Sequence, residues 1–442
     1  MEDFKSKNIL VFGLGLNQGG VGTARFFAKN GANVKVTDLK SFEVLQPSLN
    51  QLKEFSNIEY TLGEHRKEDL DWADIIIRNP AVKDSNEYLK LAQSKGKRIE
   101  TDFSIFLKFT NQENIIAITG TKGKSTTASL IHEALKASNK NVVFAGNIGK
   151  SILDTISNLE DKTLIVVEVS SFQLQTLKEK NFSPHIAVIT NIYPDHLNWH
   201  TSMEEYINAK KAIAVNQTTN DYLLISCQKI LNTEEFLKGL RGKTISFCGE
   251  EIAHEEWIEK LPLKGDANLD NYAIALKVSE ILELDKQTTL QAFQNFKGAD
   301  FRMQLAGEYK GIKIINDSTA TNPIATIEAL RSTGSCILIA GGMNKGLEYH
   351  ELAAEIEANI KNLYLLEGDA SQEILKYIRD KSIIKGKGLY DDLIELLINV
   401  KESAKNGDII LFSPGATSFN LFQNEFDRGR KFNEAVEKVF NS

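Results

Sequence analysis

The 442-residue chain is expected to fold as a three-domain α/β protein. Three observations carry that expectation. A βαβ pattern opens the chain, a Gly-rich turn joins an apolar run to a helical pattern near residue 120, and strands alternate with helices beyond Gly311. Length alone calls for two or three domains, because single cores of this size split.

The first element is the apolar run Asn8–Phe12, which ends at Gly13-Leu14-Gly15. A helical pattern follows through Ala28, Gly31 stops it, and a second strand from Asn33 to Thr37 ends at Asp38. An acid at the tip of the second strand of a βαβ unit is the dinucleotide arrangement. Here Gln18 stands where the third glycine of G-x-G-x-x-G belongs, and Gly19-Gly20-Val21-Gly22 follows. The ligand is therefore left open, and a turn that serves only close helix packing is the other reading. Ile75-Ile76-Ile77 is a buried strand ending at Arg78-Asn79-Pro80, and Lys97-Arg98-Ile99-Glu100 closes a Rossmann-like domain over residues 1–104.

The second domain, residues 105–298, is built on Ile115-Ile116-Ala117-Ile118-Thr119-Gly120-Thr121-Lys122-Gly123-Lys124-Ser125-Thr126-Thr127. Ala128, Ile131, Ala134 and Leu135 then fall on one helix face. Strand, Gly loop, Lys-Ser and helix is a phosphate cradle: backbone N–H groups crowd the anion, and the helix N-terminus adds partial positive charge. Lys124 would reach the terminal phosphates and Ser125 would sit on Mg²⁺. The loop is two residues shorter than G-x-x-x-x-G-K-[ST]. Further on, the strand from Leu164 to Val167 delivers Glu168, and the strand from Ile186 delivers Asp195 and His196. Carboxylate and imidazole at strand ends beside a phosphate loop point to a metal–phosphate site. Met203 to Ile213 is helical with paired lysines at 210 and 211, which by spacing alone read as a solvated basic face. Lys297-Gly298-Ala299-Asp300 reads as a hinge to a third, Rossmann-like domain over 299–442, with strands at Ile312–Ile315, Cys336–Ala340, Leu363–Leu366 and Asp408–Phe412 and a final helix around 433–440.

Composition narrows the class. With 42% hydrophobic and 25% charged residues the chain reads as soluble and globular, and a net charge of −7 argues against a nucleic-acid or acidic-membrane partner. No apolar run is long enough to span a membrane and no secretory leader is visible. Cys227, Cys248 and Cys336 lie far apart without metal spacing and read as reduced core thiols, so a cytoplasmic location is expected.

The ordered motifs G-T-x-G-K-S-T, A-G-N-I-G, V-E-V-S-S-F-Q-L, T-N-x-x-x-D-H and E-E-Y-x-x-A-K resemble those of the Mur ligases. The resemblance continues through Asn268-Leu269-Asp270-Asn271, Arg302, the stretch from Ile315 to Asn322, Gly341 to Gly346 and Leu411 to Phe419, nearly the whole chain. It is greatest to members that add D-glutamate to UDP-N-acetylmuramoyl-L-alanine. It implies a monomer that uses ATP and two Mg²⁺ ions. Gly120, Thr121, Lys122, Gly123, Lys124, Ser125, Thr126, Asn271, Arg302 and Asp317 would hold ATP. Ser125, Glu168, His196 and Lys210 would serve the metals, with Lys210 carbamylated by CO₂ and Lys124, Glu168, His196 and Lys210 catalytic. The UDP substrate would lie on Asn17, Asp38, Lys40, Asn79, Asn147, Ser170 and Gln173, and the amino acid on Thr321, Lys345, Ser418 and Phe422. Three positions depart from the family pattern: Thr319 replaces a lysine, Ala267 a histidine, and Gln18–Gly22 is an insertion in the uridine-side loop. A different amino-acid acceptor, a non-catalytic nucleotide binder and an NAD-dependent dehydrogenase are the competing readings.

Overall fold

The computed structural model describes residues 3–441 except 17, 81, 84, 147–150, 194–201, 228–229, 231–232, 264 and 345. Packing divides the chain into two units, Met1–Phe296 and Lys297–Ser442.

The first unit contains two wholly parallel sheets. Its N-terminal sheet is built from β1 (Asn8–Phe12), β2 (Asn33–Asp38), β3 (Ile58–Leu62), β4 (Ile75–Arg78) and β5 (Arg98–Glu100), in the order β3-β2-β1-β4-β5. The second comprises β6 (Ile115–Thr119), β7 (Val142–Gly146), β8 (Leu164–Glu168), β9 (Ile186–Ile189), β10 (Tyr222–Ser226) and β11 (Lys243–Phe247), in the order β11-β10-β9-β6-β8-β7. Strand β6 is buried at every residue, as expected of a β-branched strand covered on both faces. One core cluster runs through both sheets, joining Val11 and Phe27 to Ala117 and Ile165.

Gln18-Gly19-Gly20-Val21-Gly22, expected as an altered loop, instead forms the first turns of the helix Gln18–Lys29. Packing explains its glycines: a Cβ at Gly22 would lie 2.0 Å from the Ser151 Cβ. Arg25 on the same helix pairs with Asp154 at 3.1 Å.

A second correction concerns the thiols. Cys227 and Cys248 are disulfide-bonded, with Cα atoms 5.5 Å apart. They follow the neighbouring parallel strands β10 and β11, whose pairing brings the two chain exits together despite a sequence separation of 21. Cys336 is a free, buried thiol, and burial pushes its pKa up to about 12.

The second unit carries β12 (Gln304–Tyr309), β13 (Ile312–Asn316), β14 (Cys336–Gly341), β15 (Ile360–Leu366), β16 (Ile384–Tyr390) and β17 (Ile409–Phe412), in the order β12-β13-β17-β14-β15-β16. Only β12 runs antiparallel, on β13; the other pairings are parallel. The final helix spans Glu425–Phe440 and starts earlier than expected, because Asn424 caps it by accepting from Phe426 and Asp427 backbone N–H groups. Gly429 within this helix hides its continuity in the sequence. No helix among the described residues is long and apolar enough to cross a membrane.

Candidate active site

Strand β6 lies between β8 and β9, so the chain leaves it in opposite directions across the sheet, and ligands gather at such switch points beyond the strand C-termini. Three strand ends converge there. After β6, Gly123 takes a left-handed conformation (φ +84°) as N-cap of the helix Lys124–Ala137, which places Lys124 and Ser125 in the first helical turn. Strand β8 brings Glu168, which is 2% exposed, and the Ser125 hydroxyl donates to its Oε2 at 2.7 Å. Strand β9 brings Thr190 and Asn191.

The two lysines meet on one atom. Lys124 Nζ donates to the Gly120 carbonyl at 3.0 Å, and Lys210 Nζ donates to the same oxygen at 2.9 Å. Lys124 also reaches the Thr121 carbonyl at 3.0 Å. Lys210 is 1% exposed and lies over the Tyr206 ring at 4.5 Å, so the solvated basic face suggested by spacing does not include it. A helix N-terminus with two cations is an anion site, and the adjacent hydroxyl–carboxylate pair offers the hard oxygen donors that suit Mg²⁺. Among the described residues no cluster of three or more His, Cys, Asp or Glu side chains gathers around a point.

Sequence reasoning assigned no role to the residues that brace this loop. Asn191 accepts from the Lys122 N–H at 2.8 Å and donates to the Lys122 carbonyl at 2.9 Å. Thr190 donates to that carbonyl at 2.7 Å, and Tyr206 shares a 3.1 Å hydrogen bond with the Thr121 hydroxyl. A polar pair immediately after a parallel strand was the available signal. On the opposite flank, Asn271 accepts from the Thr127 hydroxyl at 3.1 Å and lies against Gly123.

In the N-terminal sheet, Asp38 accepts backbone N–H groups from Gly15 and Lys40, each at 2.9 Å, and so shapes the loop after β1. Lys40 is exposed, and the Asn79 amide donates to the Gly13 carbonyl at 3.2 Å. Ser170 and Gln173 cap one another at the start of the helix Ser171–Glu179. In the second unit Arg302 is exposed, whereas Asp317 is buried. The Asp317 carboxylate accepts from Ser413 Oγ at 2.7 Å and from the Met303 N–H at 3.2 Å, and burial raises its pKa to about 6. Ser418 is 1% exposed, and its hydroxyl has no hydrogen-bond partner among the described residues. Phe422 donates its N–H to the Ser418 carbonyl at 2.8 Å, and Thr321 is half-buried. Asn17, Asn147, Asp195, His196 and Lys345 lie outside the described residues.

A short phosphate loop at the switch point of a parallel sheet, with serine, glutamate and two lysines at its mouth, defines a nucleoside-triphosphate-using α/β enzyme. Comparison narrows the class. Residues 7–101 match the Mur ligase MurD-like N-terminal domain, 118–311 the Mur ligase middle domain and 301–415 the Mur ligase glutamate ligase domain. The UDP-N-acetylmuramoylalanine–D-glutamate ligase of Borreliella afzelii is 37% identical, over 99% of this chain and 99% of that protein. The enzyme of the same name from a Roseiflexus species is 35% identical over 98% of each. Among solved structures, the UDP-N-acetylmuramate-alanine ligase MurC of Thermotoga maritima shares the fold with a TM-score of 0.58 at 21% identity, over 98% of this chain and 99% of that one. The chain belongs to the Mur ligase family. It is accordingly an ATP-dependent, ADP-forming carbon–nitrogen ligase of peptidoglycan precursor synthesis, in a family that uses Mg²⁺.

Proposed function

We propose that the chain joins D-glutamate to UDP-N-acetylmuramoyl-L-alanine as a cytoplasmic monomer, with residues 1–104 holding the UDP substrate, 105–298 holding ATP and 299–442 holding the amino acid. The observation that carries this reading is the convergence of Lys124, Lys210, Ser125 and Glu168 at the end of β6. A carboxylate is a poor electrophile, so the substrate carboxylate first attacks the γ-phosphate, releasing ADP and forming an acyl phosphate. The amine of D-glutamate then attacks the acyl carbon, and inorganic phosphate leaves from the tetrahedral intermediate.

Lys124 and the N–H groups at the helix start offset the negative charge that builds as two anions approach. Ser125 and Glu168 would hold Mg²⁺, and His196 would help hold a second Mg²⁺ and the substrate, with Lys210 beside the metal. Bound Mg²⁺ supplies charge neutralisation at the phosphates. Only a neutral amine takes up CO₂, so Lys210 would react in its uncharged form. Carbamylation turns this cation into an anionic metal ligand. Ser170 and Gln173 would face the UDP substrate, and Thr321, Lys345, Ser418 and Phe422 would grip D-glutamate.

The test is ADP release with purified protein. It should require ATP, UDP-N-acetylmuramoyl-L-alanine and D-glutamate together, and release driven by another amino acid in a panel would overturn the acceptor assignment. One observation favours that second reading. Thr319 stands where the resemblance implies a lysine, and its hydroxyl is committed to the Phe301 carbonyl at 2.9 Å.

A further inference from the structure

The second unit buries one charge that the chemistry above does not use. Arg428, on the final helix, has no measurable exposure, and no carboxylate lies within ion-pair distance of it among the described residues. Neutral oxygens hold it instead. Its Nε donates to Ser318 Oγ at 3.0 Å, Nη2 to the Ser318 carbonyl at 2.6 Å and Nη1 to the Ala416 carbonyl at 3.0 Å.

These acceptors belong to two different strand-end loops. Ser318 follows β13 and precedes Thr321, while Ala416 follows β17 and precedes Ser418. Asn316 returns the connection from the strand side: its amide donates to the Gly429 carbonyl at 2.8 Å and to Asn433 Oδ1 at 2.7 Å. Ser318 Oγ in turn donates to the Glu425 carbonyl at 2.7 Å. Backbone bonds extend the assembly, from the Gly415 N–H to the Ala320 carbonyl at 3.0 Å and between Thr417 and Met343 in both directions at 3.0 Å. Arg428 is therefore the fork that joins the two loops from beneath.

A buried charge without a counter-ion is costly, and an apolar side chain would serve packing alone better. Burial depresses the guanidinium pKa to about 9, and Glu425 and Asp317 partly oppose that shift. A planar fork fixes two carbonyls and a hydroxyl in one geometry, which a lysine ammonium does not do. We infer that Arg428 is a positioning residue for the amino-acid acceptor, holding the Thr321 and Ser418 loops in register. The inference rests on the proposal that those loops grip D-glutamate.

The test is steady-state kinetics of Arg428→Lys, which keeps the charge and loses the fork. The KM for D-glutamate should rise about tenfold or more, while the KM values for ATP and the UDP substrate stay within about twofold. An unchanged KM for D-glutamate in a folded variant would overturn the inference, and so would an equal rise in all three constants. Should the lysine variant fail to accumulate, Ser318→Ala removes one acceptor and reads the same coupling; a wild-type KM for D-glutamate there overturns the inference equally. Failure of the underlying proposal shows separately, as wild-type enzyme that releases no phosphate with D-glutamate. The KM for the amino acid it does use then becomes the readout.

Discussion

Substituting Gly123 by alanine tests the phosphate loop where backbone and packing coincide. Its φ of +84° costs an L-residue roughly 1–2 kcal/mol. The new Cβ would also lie 2.5 Å from Asn271 Oδ1, so the amide must move and its hydrogen bond with Thr127 is lost. That loss adds about 1 kcal/mol, for a total of about 2–3 kcal/mol. If the loop keeps its shape, the strain appears as a fall in Tm of about 5–10 °C. If the loop yields, it appears as weaker ATP binding, with KM raised roughly 30–150-fold. Gly239→Ala is the control, because Gly239 has φ +83° and its added Cβ meets nothing within 4 Å. The control carries the same φ cost, so it should lower Tm by roughly half as much, and it should leave the KM for ATP unchanged. Scanning fluorimetry and an ADP-release assay on both variants decide the matter. Should Gly123→Ala show the ATP KM of wild type and no greater Tm loss than Gly239→Ala, Asn271 does not constrain position 123.

Three further outcomes follow from the geometry. Lys210→Ala should lose at least about a hundredfold in kcat and recover part of it with added short carboxylates, as measured by ADP release; full activity in CO₂-free buffer would exclude carbamylation. Asp102 is held near pKa 6 by burial, against opposing backbone N–H groups, so it binds a proton in the folded state that it releases in the unfolded state between about pH 4 and 6. Wild type therefore loses stability as pH rises through that window, and Asp102→Asn should be the more stable by up to about 3 kcal/mol at pH 8 with no difference near pH 4, read by urea denaturation. Reducing the Cys227–Cys248 bond should lower Tm by roughly 5–10 °C, since closing a loop of this length stabilises by about 3 kcal/mol, and Cys248→Ser should match the reduced protein.

Much of the fold could be read from order along the chain. The β1, β6 and β8 positions followed from short apolar runs ending in glycine or acid, because a strand buried on both faces needs continuous apolar residues. Lys124, Ser125 and Glu168 were equally legible, since the strand–loop–helix unit is local. The close packing of Gly22 on Ser151, the disulfide and the early start of the final helix were not, because each depends on a partner distant in sequence.

Sequence by itself determined the family, the α/β class and the phosphate loop, since these rest on local patterns and ordered motifs. Only the tertiary structure decided that Lys124 and Lys210 share the Gly120 carbonyl, that Asn191 braces the loop and that Arg428 forks beneath two strand ends. Hydrogen bonds between residues 69 to 110 positions apart exist only once the sheets bring the strand ends together, and no local pattern encodes that meeting.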